Sequence, residues 1–207
     1  MILGVDHIAH SASDQDVAGI KSGLLNAGYN VFFEELSLEN LLIKKPFLSE
    51  FHPVHDLVLM KKNGHIPIEV LNHHSSPRQS GLWRIVSGNE VAFKTSDRTS
   101  SLDFWQRLGF KPDPENNTVA FNSLFSRLTI VFEQNEESVH QHFLDDSGFN
   151  CLALFSSSVE DDRSKLCESC NCSEIAELRV NGRNLRIFFA NNVSGGELVE
   201  IFEIKKD

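Results

Sequence analysis

Two short stretches carry the residues best suited to chemistry. Residues 5–10 (Val-Asp-His-Ile-Ala-His) predict a strand that carries His7 and then runs into a helix. Residues 65–70 (His-Ile-Pro-Ile-Glu-Val) predict a strand that carries Glu69 between apolar neighbours. A histidine and a glutamate facing each other across a sheet make half of a divalent-metal site, suited to Zn, Mn, Fe or Ni. The alternative is a hydrogen-bonded core histidine and a glutamate on an exposed face.

Other residues offer weaker signals. His55 heads the third predicted strand and is a secondary candidate for a site between strands. Cys167, Cys170 and Cys172 form a C-x-x-C-x-C run, but no second pair follows at zinc-finger spacing. We interpret this run as a helix-end loop of mostly free thiols. The sequence contains no Gly-x-Ser-x-Gly motif and no dinucleotide-binding glycine pattern, which argues against a serine hydrolase or a dinucleotide enzyme.

Composition narrows the classes of function. The 207 residues are 41% hydrophobic and 23% charged, as in ordinary globular proteins. The formal net charge of -10 argues against binding to nucleic acid or to an anionic membrane surface, because both require a basic face. No apolar run approaches the roughly 20 residues of a membrane helix, and no signal peptide is evident. Four cysteines are too few for a disulfide scaffold, so a cytoplasmic location is expected.

The predicted elements repeat in one order: strand, helix, strand, strand, strand. In the first unit (1–75), a strand over 2–10 precedes a helix capped by Ser13 or Asp14 and ended by Gly28. Strands over 29–34, 54–61 and 65–71 follow, with an irregular segment over 36–53 and a turn at Asn63-Gly64. The second unit spans 89–134 and the third 148–205. Polar segments over 72–88 and 134–147 predict linkers.

This repetition predicts an α+β fold. A single unit cannot bury both the underside of its helix and the concave face of its sheet. We therefore expect units to pair into curved, cup-forming mixed sheets with helices outside, packed as one assembly.

The pattern resembles the vicinal oxygen chelate superfamily, which includes glyoxalase I, methylmalonyl-CoA epimerase, extradiol dioxygenases and bleomycin-resistance proteins. The resemblance is carried by Val-Asp-His-Ile-Ala-His-Ser-Ala-Ser-Asp (5–14), Pro-Ile-Glu-Val (67–70), Trp-Gln-Arg-Leu-Gly-Phe (105–110) and Gly-Gly-Glu-Leu-Val-Glu-Ile (195–201). In that family, paired units form a curved sheet, and the metal ligands lie on the first and last strands of each unit, side by side.

The resemblance implies a set of ligand positions. It places His7 and Glu69 on the first and last strands of unit one, and Glu200 on the last strand of unit three. The remaining first-strand positions fall on Glu90 in unit two and Cys151 in unit three, which we keep as secondary candidates. The cofactor implied is a divalent metal.

Three functional hypotheses follow from the resemblance. The first is a metal-dependent lyase, isomerase or epimerase acting on a small oxygen-rich metabolite. The second is a metal-free module that binds a small molecule in an apolar cup. The third is an Fe(II) dioxygenase of the extradiol type, which needs a second histidine in the cup. In each case the partner is a small molecule, and with three units a homodimer in which one unit pairs with its copy is an expected arrangement.

Overall fold

The computed structural model describes residues 1–75, 78, 82–113, 115–124, 126–134 and 142–205. The first unit contains β1 (Ile2–Ser11), α1 (Val17–Asn26), β2 (Asn30–Glu39), a 3-10 helix (Leu42–Phe47), β3 (Val54–Lys61) and β4 (Ile68–Asn72). The middle unit contains β5 (Trp83–Ser87), β6 (Glu90–Thr95), α2 (Arg98–Arg107), β7 (Lys111–Asp113), β8 (Thr118–Asn122) and β9 (Arg127–Gln134). The third unit contains β10 (Gly148–Ser156), α3 (Val159–Leu166), β11 (Asn171–Cys172), β12 (Ala176–Val180), β13 (Arg183–Asn191) and β14 (Leu198–Ile204).

The first and third units share one sheet, which we call the main sheet. Its strand order in the described residues is β11-β13-β14-β10-β1-β4-β3-β2, and β12 pairs with β13. The first strands of the two units, β1 and β10, pair antiparallel at the centre. Each is flanked by the last strand of its own unit, in parallel: β4 beside β1 and β14 beside β10. The two halves are therefore related by an approximate two-fold rotation.

The middle unit forms a separate sheet with the order β5-β6-β9-β8-β7 in the described residues. It repeats the half-sheet pattern, since β6 and β9 are the first and last strands of the predicted unit over 89–134 and pair in parallel. It also contacts the main sheet, where the Val5 backbone N–H donates to Ser126 Oγ at 2.7 Å. The sequence predicts three similar units, but which of them pair depends on contacts between distant residues.

Strand alternation separates two buried clusters. One combines the helix-facing side of the main sheet with the middle unit, and it includes Ile8, Ile68, Val199 and Trp105. The other is a separate group of buried apolar side chains on the opposite face of the main sheet. Because successive side chains of a strand point to opposite faces, the residues between those of the first cluster face the second.

Local sequence signals agree with some of the observed turns and helix caps and not with others. Asp97 is the N-cap residue of α2, and its Oδ1 accepts a hydrogen bond from the Ser100 N–H at 2.9 Å. Asn181 and Gly182 both adopt positive φ, as a two-residue hairpin turn demands. The predicted cap of α1 at Ser13 or Asp14 is wrong, because residues 14–16 form a turn and the N-cap position falls on Asp16.

Two strands were not predicted. The segment 72–88 contains β5, which adds an edge strand to the second sheet, and β11 is too short to give a periodic pattern. Of the predicted linker over 134–147, residues 135–141 lie outside the described residues. Within the described part of the chain, the helices are too short or too polar to cross a bilayer.

Candidate functional site

Three strands at the centre of the main sheet bring the predicted ligands to one cavity. His7 lies on β1, Glu69 on β4 and Glu200 on β14, and all three side chains line a cavity of about 130 Å³. The residue that follows each of them along its strand belongs to the helix-facing cluster: Ile8 after His7, Val70 after Glu69 and Ile201 after Glu200. The alternation therefore turns all three polar side chains to the concave side.

His7 is fixed from both sides of its ring. Nδ1 donates a hydrogen bond to Asp6 Oδ2 at 2.8 Å, and Nε2 lies 3.2 Å from Glu69 Oε2. That second contact is close enough for an ion pair but is not aligned as a hydrogen bond, so buried Nε2 has no hydrogen-bond partner. Burial lowers the pKa of His7, but attraction to Glu69 and the hydrogen bond to Asp6 outweigh it and raise the pKa well above its ordinary value.

The two glutamates differ in their surroundings. Burial raises the pKa of Glu69, but the neighbouring His7 outweighs this effect and the pKa is lowered. Burial, reinforced by the negative charge of Glu69, raises the pKa of Glu200 to about 7. Within the described residues, the Glu200 carboxyl makes no hydrogen bond or ion pair. The cavity therefore contains one carboxylate paired with a histidine and one without a partner.

Cys151 occupies the position equivalent to His7. In the β1–β10 pairing, His7 is opposite Ala153, and Ala9 is opposite Cys151. A two-fold rotation that exchanges the strands therefore exchanges His7 with Cys151. The same rotation exchanges Glu69, which pairs with Ala9, with Glu200, which pairs with Ala153.

The Cys151 thiol is poorly placed to act as a ligand. Its side chain is buried, and it is absent from the described residues that line the cavity. Burial and the nearby glutamates Glu200 and Glu69 raise the pKa of the Cys151 thiol well above its ordinary value. The fourth position of the two-fold arrangement therefore holds a protonated, largely inaccessible thiol.

The other secondary candidates have different outcomes. Glu90 lies on β6 in the separate sheet and is not among the described residues that line this cavity. The reason is that the middle unit pairs with neither of the others. His55 does line the cavity, but its ring stacks on that of His73 with centroids 5.5 Å apart. Burial lowers the pKa of His55 to about 2 and that of His73 to about 3, so both rings are neutral.

Lys44 also lines the cavity, and no sequence pattern predicts it as a site residue. It lies in the 3-10 helix, and its side chain is buried although its charge favours water. Its Nζ lies 5.6 Å from the centroid of the Phe189 ring. The surrounding segment is irregular and contains Pro46, so no periodicity indicates which of its side chains point inward.

The rest of the wall is mostly apolar, and its more exposed part, which we call the mouth, includes two basic residues. Lys61 is partly exposed and Arg183 is exposed, and the Nζ of Lys61 lies 3.7 Å from the ring centroid of Phe32. The apolar side chains come from β2, β3, β4, β12, β13 and β14: Phe33, Leu38, Leu57, Leu59, Leu71, Leu178, Val180, Leu185, Ile187, Phe202 and Ile204. The cavity therefore combines an apolar body with a small polar floor, as small-molecule sites do.

The donor set can be compared with the requirements of a divalent metal. An imidazole nitrogen and carboxylate oxygens are suitable ligands for Zn, Mn, Fe or Ni, and Nε2 of His7 is a buried atom without a hydrogen-bond partner. Asp6 holds the other ring nitrogen, which is the usual support for a metal-binding histidine. As the side chains stand in the described residues, no group of three His, Cys, Asp or Glu residues is assembled closely enough to hold an ion. The residues thus fit a metal in chemistry, with His7 and Glu69 as the pair already in contact.

No protein-family model and no curated protein sequence matches the chain. Among solved structures, the chain is similar to methylmalonyl-CoA epimerase from Mycobacterium tuberculosis, at 16% identity and a TM-score of 0.47, covering 100% of this chain and 91% of that one. A selenomethionine methylmalonyl-CoA epimerase gives 14% identity, a TM-score of 0.45 and coverages of 100% and 98%. Glyoxalase I from Zea mays gives 12% identity, a TM-score of 0.38 and coverages of 99% and 68%.

At these identities the likeness concerns the fold alone, and the low TM-scores carry no argument about activity. The strand order of the main sheet is the stronger observation. Two strand-helix-strand-strand-strand units meet through their first strands, with the last strand of each beside them. This arrangement agrees with the paired units that the resemblance implies, and it confirms the α+β fold class predicted from the sequence.

Proposed function

We propose that the protein is a glyoxalase-like, metal-dependent lyase, isomerase or epimerase that acts by proton transfer on a small oxygen-rich molecule. One observation carries the proposal: His7, Glu69 and Glu200, from three of the four central strands of the main sheet, line a single cavity. The pair formed by His7 Nε2 and Glu69 Oε2, 3.2 Å apart, supports it, because an imidazole nitrogen and a carboxylate oxygen side by side are suitable ligand atoms for one divalent ion.

His7 and Glu69 are the residues that would hold the ion. A bound divalent metal would supply a Lewis acid that stabilises negative charge on a ligand oxygen. The hydrogen bond from His7 Nδ1 to Asp6 keeps Nε2 directed toward Glu69. The apolar wall around these groups limits access of water to the polar floor.

Glu200 has a different role in this proposal. It faces the same cavity from the other half of the main sheet, and its carboxyl has no hydrogen bond or ion pair with any described residue. A free carboxylate beside the ligand can accept a proton from it and return that proton at another atom. The alternative is that Glu200 is the third oxygen ligand, as the resemblance implies, and a Glu200→Gln variant separates the two roles.

The first experiment measures metal in protein purified without added metal, followed by titration with Zn²⁺ and Mn²⁺. We expect His7→Ala and Glu69→Gln to abolish stoichiometric binding, and Asp6→Asn to weaken it by about 10-fold. His10→Ala is the matched control, because His10 is on the same strand but packs against Phe149 outside the cavity. Absence of bound metal, together with an unchanged affinity for added metal in His7→Ala, would refute the proposal.

Glu200→Gln is then tested for both roles. If Glu200 transfers the proton, this variant keeps metal affinity but no longer catalyses exchange of carbon-bound hydrogen for deuterium in a panel of 2-hydroxy ketones. If Glu200 is a ligand, metal affinity falls along with exchange. Exchange that continues unchanged in Glu200→Gln would exclude both roles.

A second candidate is a metal-free module that binds a small molecule. It is favoured by the thiol of Cys151 at the fourth ligand position and by the ammonium of Lys44 in the same cavity. It predicts that chelator-treated protein binds its ligand as tightly as untreated protein, whereas the leading proposal predicts a loss of affinity. The dioxygenase hypothesis has less support, because the additional histidine in the described lining, His55, is on β3 and not on one of the four central strands.

A further inference from the structure

Lys44 is a largely buried lysine that lines the cavity. Its side chain is only 7% exposed, while the adjacent Lys45 on the same 3-10 helix is exposed. Among the described residues, the Lys44 ammonium has no hydrogen-bond or ion-pair partner, and it lies 5.6 Å from the centroid of the Phe189 ring. A buried charge is normally paired, because removing it from water is costly. The missing partner indicates an anion on the ligand.

Lys44 also lies near the altered half of the site. Its Nζ lies 5.6 Å from the centroid of the Phe189 ring on β13, and Phe189 is the residue that pairs with Glu200 in the β13–β14 ladder. Cys151 stands where the two-fold relation would place a second histidine. The half of the cavity that lacks this basic ligand therefore has a lysine instead, supplied by a segment outside the repeated strands.

The remaining wall defines the other part of the ligand. Leu38, Leu57, Leu71 and Ile187 line the same cavity as Lys44, and the cavity measures about 130 Å³. An apolar group of the size of a phenyl ring or a short alkyl chain suits such a wall. We propose that the ligand has an apolar body and a single anionic group, and that Lys44 binds the anionic group. This inference rests on the proposed function, because it names the substrate class of the same cavity.

The test compares a carboxylate with its neutral amide in chelator-treated protein. The probes are 3-phenylpropionate and 3-phenylpropanamide, and their affinities are measured by isothermal titration calorimetry at low ionic strength. We expect the wild-type protein to prefer the carboxylate by about 10-fold or more, as a charge-assisted hydrogen bond allows. Lys44→Met should reduce this preference to nearly one, and Lys44→Arg should keep most of it.

Two variants serve as controls. Lys45→Met removes an exposed charge from the same helix and should leave the preference unchanged. Lys61→Met removes a charge from the mouth of the cavity. A preference that survives in Lys44→Met but is lost in Lys61→Met would place the anion at the mouth and overturn the inference. Equal affinity of the two probes for the wild type, or no binding of either, would also overturn it.

The design separates this inference from the proposed function. The affinities are measured without metal, so failure of the metal proposal leaves the expected carboxylate preference intact. Conversely, stoichiometric metal at His7 with an unchanged preference in Lys44→Met would leave the proposed function standing and remove the assignment of Lys44. Circular dichroism of each variant shows whether it is folded, and Lys44→Gln replaces Lys44→Met if the latter is not.

Discussion

Replacing Glu197 with glutamine should change how stability depends on pH. Glu197 is fully buried where the β13–β14 turn meets the middle unit, and its Oε2 accepts a hydrogen bond from Asn192 Nδ2 at 2.8 Å. Burial raises the pKa of Glu197 to about 7, because the hydrogen bonds that favour the carboxylate do not offset the loss of hydration. The same carboxyl in the unfolded chain titrates near 4.5.

The sign and size of the effect follow from this difference. Between these two pKa values the folded protein binds a proton that the unfolded chain has lost, so raising the pH favours unfolding. The full effect on the free energy of unfolding is about 3 kcal/mol, of which about 2 kcal/mol falls between pH 5 and pH 8. Glu197→Gln has no titrating group at this position, and its side chain can still accept from Asn192.

The assay is urea unfolding of both proteins at pH 5, 6, 7 and 8. Subtracting the two free energies of unfolding at each pH cancels the contribution of all other titrating groups. We expect Glu197→Gln to gain about 2 kcal/mol relative to the wild type across this range, with little further gain above pH 8. A difference that is constant with pH, or that changes in the opposite direction, would refute the assignment of a neutral, buried carboxyl.

Two further outcomes are expected. Gly195→Ala should destabilise the protein by about 2 kcal/mol in urea unfolding, because a Cβ there would overlap Glu197 Oε2 and lie 2.6 Å from Ser101 Oγ. Gly23→Ala is the matched control, because a Cβ at Gly23 would have no heavy atom within 4 Å, and it should not destabilise the protein. In native protein treated with iodoacetamide, peptide mass spectrometry should show alkylation of exposed Cys167, whereas Cys151 should be alkylated only after urea is added. The reason is that burial raises the pKa of the Cys151 thiol and blocks access of the reagent, so alkylation of Cys151 in the native protein would contradict its burial.

The sequence predicts the features that depend on local rules. The hairpin at Asn181-Gly182 and the cap at Asp97 each follow from a few adjacent residues. The orientation of Glu69 and Glu200 follows from strand alternation once their strands are recognised, since each has apolar neighbours on both sides. These rules, with the repeated order of elements, account for the fold class and for the three side chains that line the cavity.

Long-range pairing and irregular segments account for the rest. Glu90 satisfies the same spacing rule as His7, yet it lies in the other sheet because unit one pairs with unit three. Nothing within unit two indicates that choice, since strand pairing depends on distant partners. Lys44 lies in a segment without periodicity, and Asp6 supports His7 through a side-chain direction that a strand pattern does not fix.

The central pairing of β1 with β10 also constrains how the protein can fold. These strands are far apart in the sequence, with the whole middle unit between them. Closing so long a loop is entropically slow, and during synthesis β1 exposes an unpaired edge until β10 has been made. We therefore expect the middle unit to form early, from contacts near in sequence, and the main sheet to close late. Ligand binding in the cavity would then report the last step of folding, and mutations in β10 would abolish it even where His7 and Glu69 are untouched.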